Sequence, residues 1–245
     1  MPHWPFGEGG TLIFALAAAT VFAAAIVQNT TGMGFGQVAA PLLLLIDPRF
    51  VPVAVLLMGM TVALFGAVRD RRDVARGDLG VALAGRVTGA LVAGQLVAVL
   101  ADSAAFSLLF AGLILLAVVL SVTSWKVQPT RGALLTGGFV SGFMGTITSV
   151  GAPPMGIVYQ NSPGPRVRAT LNVFFALGAL VSVLALLAWG QVEAEDLWLA
   201  ISLAPAFLLG SWVSKFLTGF VDRRFRPLVL LVCACSAVVI IWKVL

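Results

Sequence analysis

The chain has 245 residues, 60% of them hydrophobic and only 10% charged, with a formal net charge of +5 and a mean hydropathy of +1.06. Ordinary soluble domains carry about 25% charged residues, so this chain cannot clothe itself for water, and a bilayer is the solvent that fits. Its basic residues sit in short loops between apolar runs, which excludes a nucleic-acid-binding face and makes them topology signals.

The first ten residues hold no Lys or Arg, and the apolar run after them outlasts a signal-peptide core, so no cleaved leader is expected. That run, 11–46, would be about 54 Å long as one helix, well beyond a hydrocarbon core of about 30 Å. It is interrupted by Asn29-Thr30-Thr31-Gly32-Met33-Gly34-Phe35-Gly36-Gln37 and then Pro41. Simple spans are predicted at 51–68, 79–100 and 104–124. The next run, 132–159, would be about 42 Å long and is interrupted by Gly142, Gly145, Thr146, Thr148, Ser149, Gly151, Pro153 and Pro154. Further spans are predicted at 169–189, 197–217 and 227–244. Gly and Pro in close succession unwind a helix, and the freed backbone groups then need polar partners. Trp4, Trp125, Trp189, Trp198 and Trp242 fall near span ends, as in an aromatic belt. Trp212 lies deeper and is expected to pack between helices. Cys233 and Cys235 point to different sides of the last span and read as small apolar residues.

Charge sets the topology. Arg69, Arg71, Arg72 and Arg76 mark one cytoplasmic loop, Lys126 and Arg131 a second, and Arg223, Arg224 and Arg226 a third. Asp102 and Glu193-Ala194-Glu195-Asp196 mark external loops. The span 169–189 ends at the acidic loop, so it begins inside, beside Arg166 and Arg168. The run 132–159 then begins and ends on one face and should be a helical hairpin turning near 146–151. The same logic makes 11–46 a hairpin and puts both termini outside. The expected fold is an all-α polytopic membrane protein of two inverted repeats, 1–124 and 125–245, each a helical hairpin plus three transmembrane helices. Gln37-Val38-Ala39-Ala40-Pro41 faintly echoes Ser149-Val150-Gly151-Ala152-Pro153. Inverted repeats with paired broken helices build many secondary transporters, and a multi-pass carrier of the inner membrane is expected.

The hairpin tips are the candidate site. Helix N-termini carry free N–H groups and partial positive charge, and two facing one cavity can hold an anion. The candidates are Asn29, Thr30, Thr31 and Gln37 in the first tip, and Thr146, Thr148 and Ser149 in the second. Gly, Ser and Thr also serve close helix packing in membranes. Arg86 either binds substrate, as intramembrane arginines do, or snorkels to the interface; Gln95 is a weaker polar candidate. Asn172 either lines the cavity or bonds between helices. Arg168, with Arg166, either fixes topology or draws anions to an inner vestibule.

All ten Asp and Glu residues fall in predicted loops or termini, and the one histidine is His3. No carboxylate or imidazole is placed for a proton relay, for a nucleophile–base pair or for a zinc site, and no phosphate loop is present for ATP. Sodium at broken-helix carbonyls, or exit down the membrane potential, remain as driving forces. No cofactor or metal is expected, and no enzyme activity. The expected partners are a small anion and the lipid bilayer, with homo-oligomerisation left open. The rival readings are an anion channel and a non-transporting membrane scaffold.

Gly32-Met33-Gly34-Phe35-Gly36 followed by Pro41-Leu42 resembles the first signature of the TauE/SafE sulfite exporter family. Gly145-Thr146-Ile147-Thr148-Ser149-Val150-Gly151-Ala152-Pro153-Pro154 resembles the second, and Arg168-Ala169-Thr170 is similar to the family pattern after it. The resemblance extends over nearly the whole chain and implies export of sulfite, sulfonates or related organic acids. Gln37 departs from the pattern, standing where a further glycine is common, and a side chain there would narrow the cavity or touch substrate.

Overall fold

The computed structural model describes residues 10–100, 103–123, 125 and 127–217. The predicted span 227–244, Cys233, Cys235, Trp4, Trp242, His3, Asp102, Lys126 and the arginines at 223, 224 and 226 lie outside them. Every regular element among the described residues is helical: α1 (Gly10–Thr31), α2 (Phe35–Ile46), α3 (Val53–Arg69), α4 (Arg76–Leu100), α5 (Ala104–Val122), α6 (Arg131–Thr148), α7 (Ala152–Tyr159), α8 (Gly164–Ala188), α9 (Ala194–Ser202) and α10 (Ala204–Val213), with short 3-10 turns between. Of these, α1, α4, α5 and α8 are long and apolar enough to cross a membrane. Large side chains such as Leu12, Val68, Val99 and Val119 are more than half exposed, an outward apolar surface that only lipid accommodates.

Local sequence explains the ends. The Ser103 hydroxyl accepts the Phe106 N–H to start α5, and Thr130 accepts the Ala133 N–H to start α6. Both long runs break where the sequence predicts. In the first, Gly32 (φ 87°) and Gly34 (φ 106°) turn the chain between α1 and α2, in a backbone region that glycine enters without steric cost. In the second, α6 stops at Thr148, Ser149 takes φ 62°, and α7 starts at Ala152 with Pro153 and Pro154 in its first turn. The echoing pentapeptides do not share a register with these breaks: Gln37 is the third residue of α2, whereas Ser149 opens the second break.

The predicted span 197–217 is made of two helices, α9 and α10, bent by 46°, because Pro205 lacks an N–H for the helical ladder and sits in the first turn of α10. The expectation for Trp212 is corrected: among the described residues it does not pack between helices. It is 55% exposed, on the outer surface beside Phe216, with ring centroids 5.3 Å apart.

The most extensive helix pairings are α4 on α6, α3 on α8 and α1 on α10. Glycines bring α4 and α6 into backbone contact. A Cβ on Gly85 or Gly89 would strike the carbonyls of Leu135 or Phe139, and one on Gly138 or Gly142 would strike those of Ala82 or Arg86. These are two Gly-x-x-x-Gly stripes facing each other, the pattern that lets membrane helices approach most closely. Gly210 of α10 rests likewise on the Phe22 carbonyl of α1.

Candidate functional site

The two breaks meet. A Cβ on Gly36 would run into the Ser149 carbonyl, so the start of α2 lies directly on the second break. Beside this junction is a cavity of about 40 Å³, lined by Gln28, Gly34–Gln37, Ser149, Gly151 and Ala152 from the broken runs, Val55, Leu56 and Gly59 from α3, Arg86 from α4, and Phe175 and Ala179 from α8. That volume exceeds the 10–15 Å³ or so that one water requires, and suits only a small occupant.

Arg86 dominates the site's electrostatics. It is 2% exposed, so it does not snorkel. Its Nη1 donates to the Ser141 carbonyl at 2.9 Å and to Ser141 Oγ at 2.8 Å, while Ser141 Oγ donates to the Gly151 carbonyl at 2.5 Å. The guanidinium carbon lies 5.3 Å and 5.7 Å from the ring centres of Phe174 and Phe175, within cation–π range. Its Nε has no hydrogen-bond partner, and no carboxylate pairs with it among the described residues. A buried cation is costly without a counter-charge.

Gln28 also lines the cavity. Its Nε2 donates to the Gly32 carbonyl (3.1 Å) and to Asn172 Oδ1 (3.0 Å), and its Oε1 accepts the first N–H of α2, from Phe35, at 3.1 Å. The amides of Gly36 and Gln37 follow it in the helix's unpaired first turn. The start of α7 offers less than expected of a helix N-terminus, since Pro153 and Pro154 have no N–H.

Of the residues singled out from sequence, the structure brings Arg86, Gln37 and Ser149 to the cavity. Gln37 Nε2 also donates to Ser121 Oγ of α5 (3.0 Å), and Ser149 Oγ to the Pro52 carbonyl (2.9 Å). Asn172 stands one layer back, oriented by Gln28, with its Nδ2 unpartnered. The others lie off the lining. Asn29 donates to Ser211 Oγ of α10 at 3.2 Å. Thr30 and Thr31 hydroxyls donate to carbonyls of their own turn. Thr146 donates to Ser182 Oγ at 2.8 Å, Thr148 caps its own break by accepting the Val150 N–H, and Arg168 pairs with Asp70 at 2.7 Å. Gln95 is exposed on the outer face of α4. Sequence reasoning missed Gln28 and Ser141. Ser141 sits inside the Gly138-x-x-x-Gly142 stripe that marks the α4 contact, and that stripe was the available signal.

Compared with known proteins, residues 16–240 match the family model described as Sulfite exporter TauE/SafE. No curated protein and no solved structure matches the chain. The matched stretch contains both breaks, Arg86 and every cavity-lining residue, and the chain therefore belongs to the TauE/SafE sulfite exporter family, whose members are membrane transporters of sulfur anions rather than enzymes.

Proposed function

We propose that this protein is a secondary carrier that exports small anions, such as sulfite, sulfonates or related organic acids, across the inner membrane by alternating access. Substrate sits in the cavity between the two breaks, held by Arg86, the first-turn amides of α2, Gln37 and Ser149. The observation that carries this reading is Arg86: a buried guanidinium with a bare Nε, no carboxylate partner among the described residues and a cavity beside it. Two inverted repeats, 1–124 and 125–245, with both termini outside, supply the two access states. The pairing pattern supports that layout, since α4 of the first half packs on α6 of the second as α10 of the second packs on α1 of the first.

Currents from proteoliposomes exposed to sulfite, sulfoacetate, acetate and chloride test it. A saturable current for a sulfur anion is expected, at least tenfold smaller in Arg86→Gln and partly kept in Arg86→Lys, which retains charge without the planar fork. An unaltered current and half-saturating concentration in Arg86→Gln would remove Arg86 from the site. Counterflow driven by unlabelled substrate separates a carrier from a channel.

A further inference from the structure

Three ion pairs join the first half of the chain to the second among the described residues. Arg49 Nη1 meets Glu195 Oε1 at 2.6 Å, Arg166 Nη2 meets Asp78 Oδ2 at 3.3 Å, and Arg168 Nε meets Asp70 Oδ2 at 2.7 Å. Their placement follows a rule. Arg49 and Arg166 each follow a proline at the entry to one of the two central helices, α3 and α8. Glu195 and Asp78 each lie in the first turn of the helix that comes next in the opposite half, α9 and α4. The two pairs occupy equivalent places with the halves exchanged, and Arg49 is held in addition by Asp47 at 2.6 Å.

They also lie at opposite ends of the molecule. Arg49 precedes the start of α3, while Asp70 caps its end, and the 17 residues between extend about 25 Å. The Asp70–Arg168 pair brings the start of α8 to the end of α3, so Arg166–Asp78 belongs to that end too. The cavity lies between, touching α3 at Val55, Leu56 and Gly59 and α8 at Phe175 and Ala179.

We infer that Arg49–Glu195 is the latch over one mouth of the cavity and that Arg166–Asp78 with Arg168–Asp70 is the latch over the other, so that each access state requires one to open while the other holds. This rests on the alternating-access reading above and adds the residues that control it. The exposures suit the role. Arg49 and Glu195 are each 43% exposed, and Arg166 is 53% exposed; half-exposed pairs are individually weak and can break in every cycle. Asp70 is only 11% exposed and also receives Arg69, so the second latch is the tighter of the two.

The test is thiol accessibility, which needs no substrate. Ala179→Cys is placed in a full-length chain carrying Cys233→Ser and Cys235→Ser, and oriented proteoliposomes are treated with a membrane-impermeant maleimide from either side. Glu195→Gln is expected to raise labelling several-fold from the Arg49 side alone. Asp78→Asn with Asp70→Asn is expected to raise it from the opposite side alone. Equal labelling from both sides in every variant would overturn the latches. A second measurement does not depend on Ala179→Cys reacting: Arg49→Cys with Glu195→Cys, bridged by a short bis-maleimide, should lose its anion current, and undiminished current after bridging would also overturn the proposal. Face-specific labelling without any anion current would keep the latches and discard the proposed substrate class. Anion current without face-specific labelling would do the reverse.

Discussion

At the scale of single residues, the site depends on the absence of side chains as much as on their presence. A Cβ on Gly178 would land on Arg86 Nε, and Cβ atoms on Gly145 or Gly151 would stand 3.1 Å and 2.8 Å from its terminal nitrogens. Gly178→Ala is therefore expected to push the guanidinium off its position and cut anion current at least tenfold, with little change in yield of folded protein on size-exclusion chromatography. Thr146 offers the opposite case. Its hydroxyl is spent on Ser182, away from the lining, so Thr146→Ala should lose about 1 kcal/mol of stability, seen in detergent unfolding, while the half-saturating substrate concentration stays within twofold. Arg86 was recognisable from sequence because an arginine inside an apolar run stands out. Gln28 was not: its role is set by Asn172, 144 positions away, and nothing local distinguishes it from any polar residue near a helix end.

At the scale of elements, the α4–α6 pair holds Arg86 at its height. The facing glycine stripes leave no space for a methyl group, because the atoms in the way are backbone carbonyls rather than side chains that could turn aside. Gly89→Ala or Gly138→Ala should thus separate the helices and destabilise by about 1–3 kcal/mol, as overpacking does. A lowered midpoint of thermal unfolding together with reduced current checks this. Both breaks were legible because Gly and Pro act locally. The bend at Pro205 rested on equally local chemistry, but the hydropathy of 197–217 is that of an uninterrupted span. Which element each helix packs against was not legible, since a Leu facing lipid and a Leu facing a neighbouring helix look alike in sequence.

At the scale of the whole molecule, one end is tied by a carboxylate shared between two arginines. Burial raises the Asp70 pKa, but hydrogen bonds from Arg69 and Arg168 outweigh it and hold the carboxyl below its ordinary value of 3.8. A lowered folded-state pKa contributes stability that is complete above the unfolded value and is lost as pH falls through the folded one. Unfolding midpoints in detergent should therefore be insensitive to this pair from pH 7 down to about 5 and fall below pH 4. Asp70→Asn should lower the midpoint at pH 7 and flatten the acid limb. The charge-derived topology makes its own prediction: an epitope at Met1 should be accessible from outside intact spheroplasts, and protection of that epitope would remove the inverted relation of the halves.

The grip of Ser141 on Arg86 also bears on how the protein is made. The arginine belongs to α4, yet its only side-chain acceptor among the described residues is encoded 55 residues later. At roughly 5–20 residues per second, the ribosome takes about 3–11 s to deliver it. During that interval the first half lacks both Ser141 and the glycine stripe of α6 that packs on α4. A chain released after α5 should stay in that condition and be degraded. Supplying residues 125–245 as a separate polypeptide should rescue it.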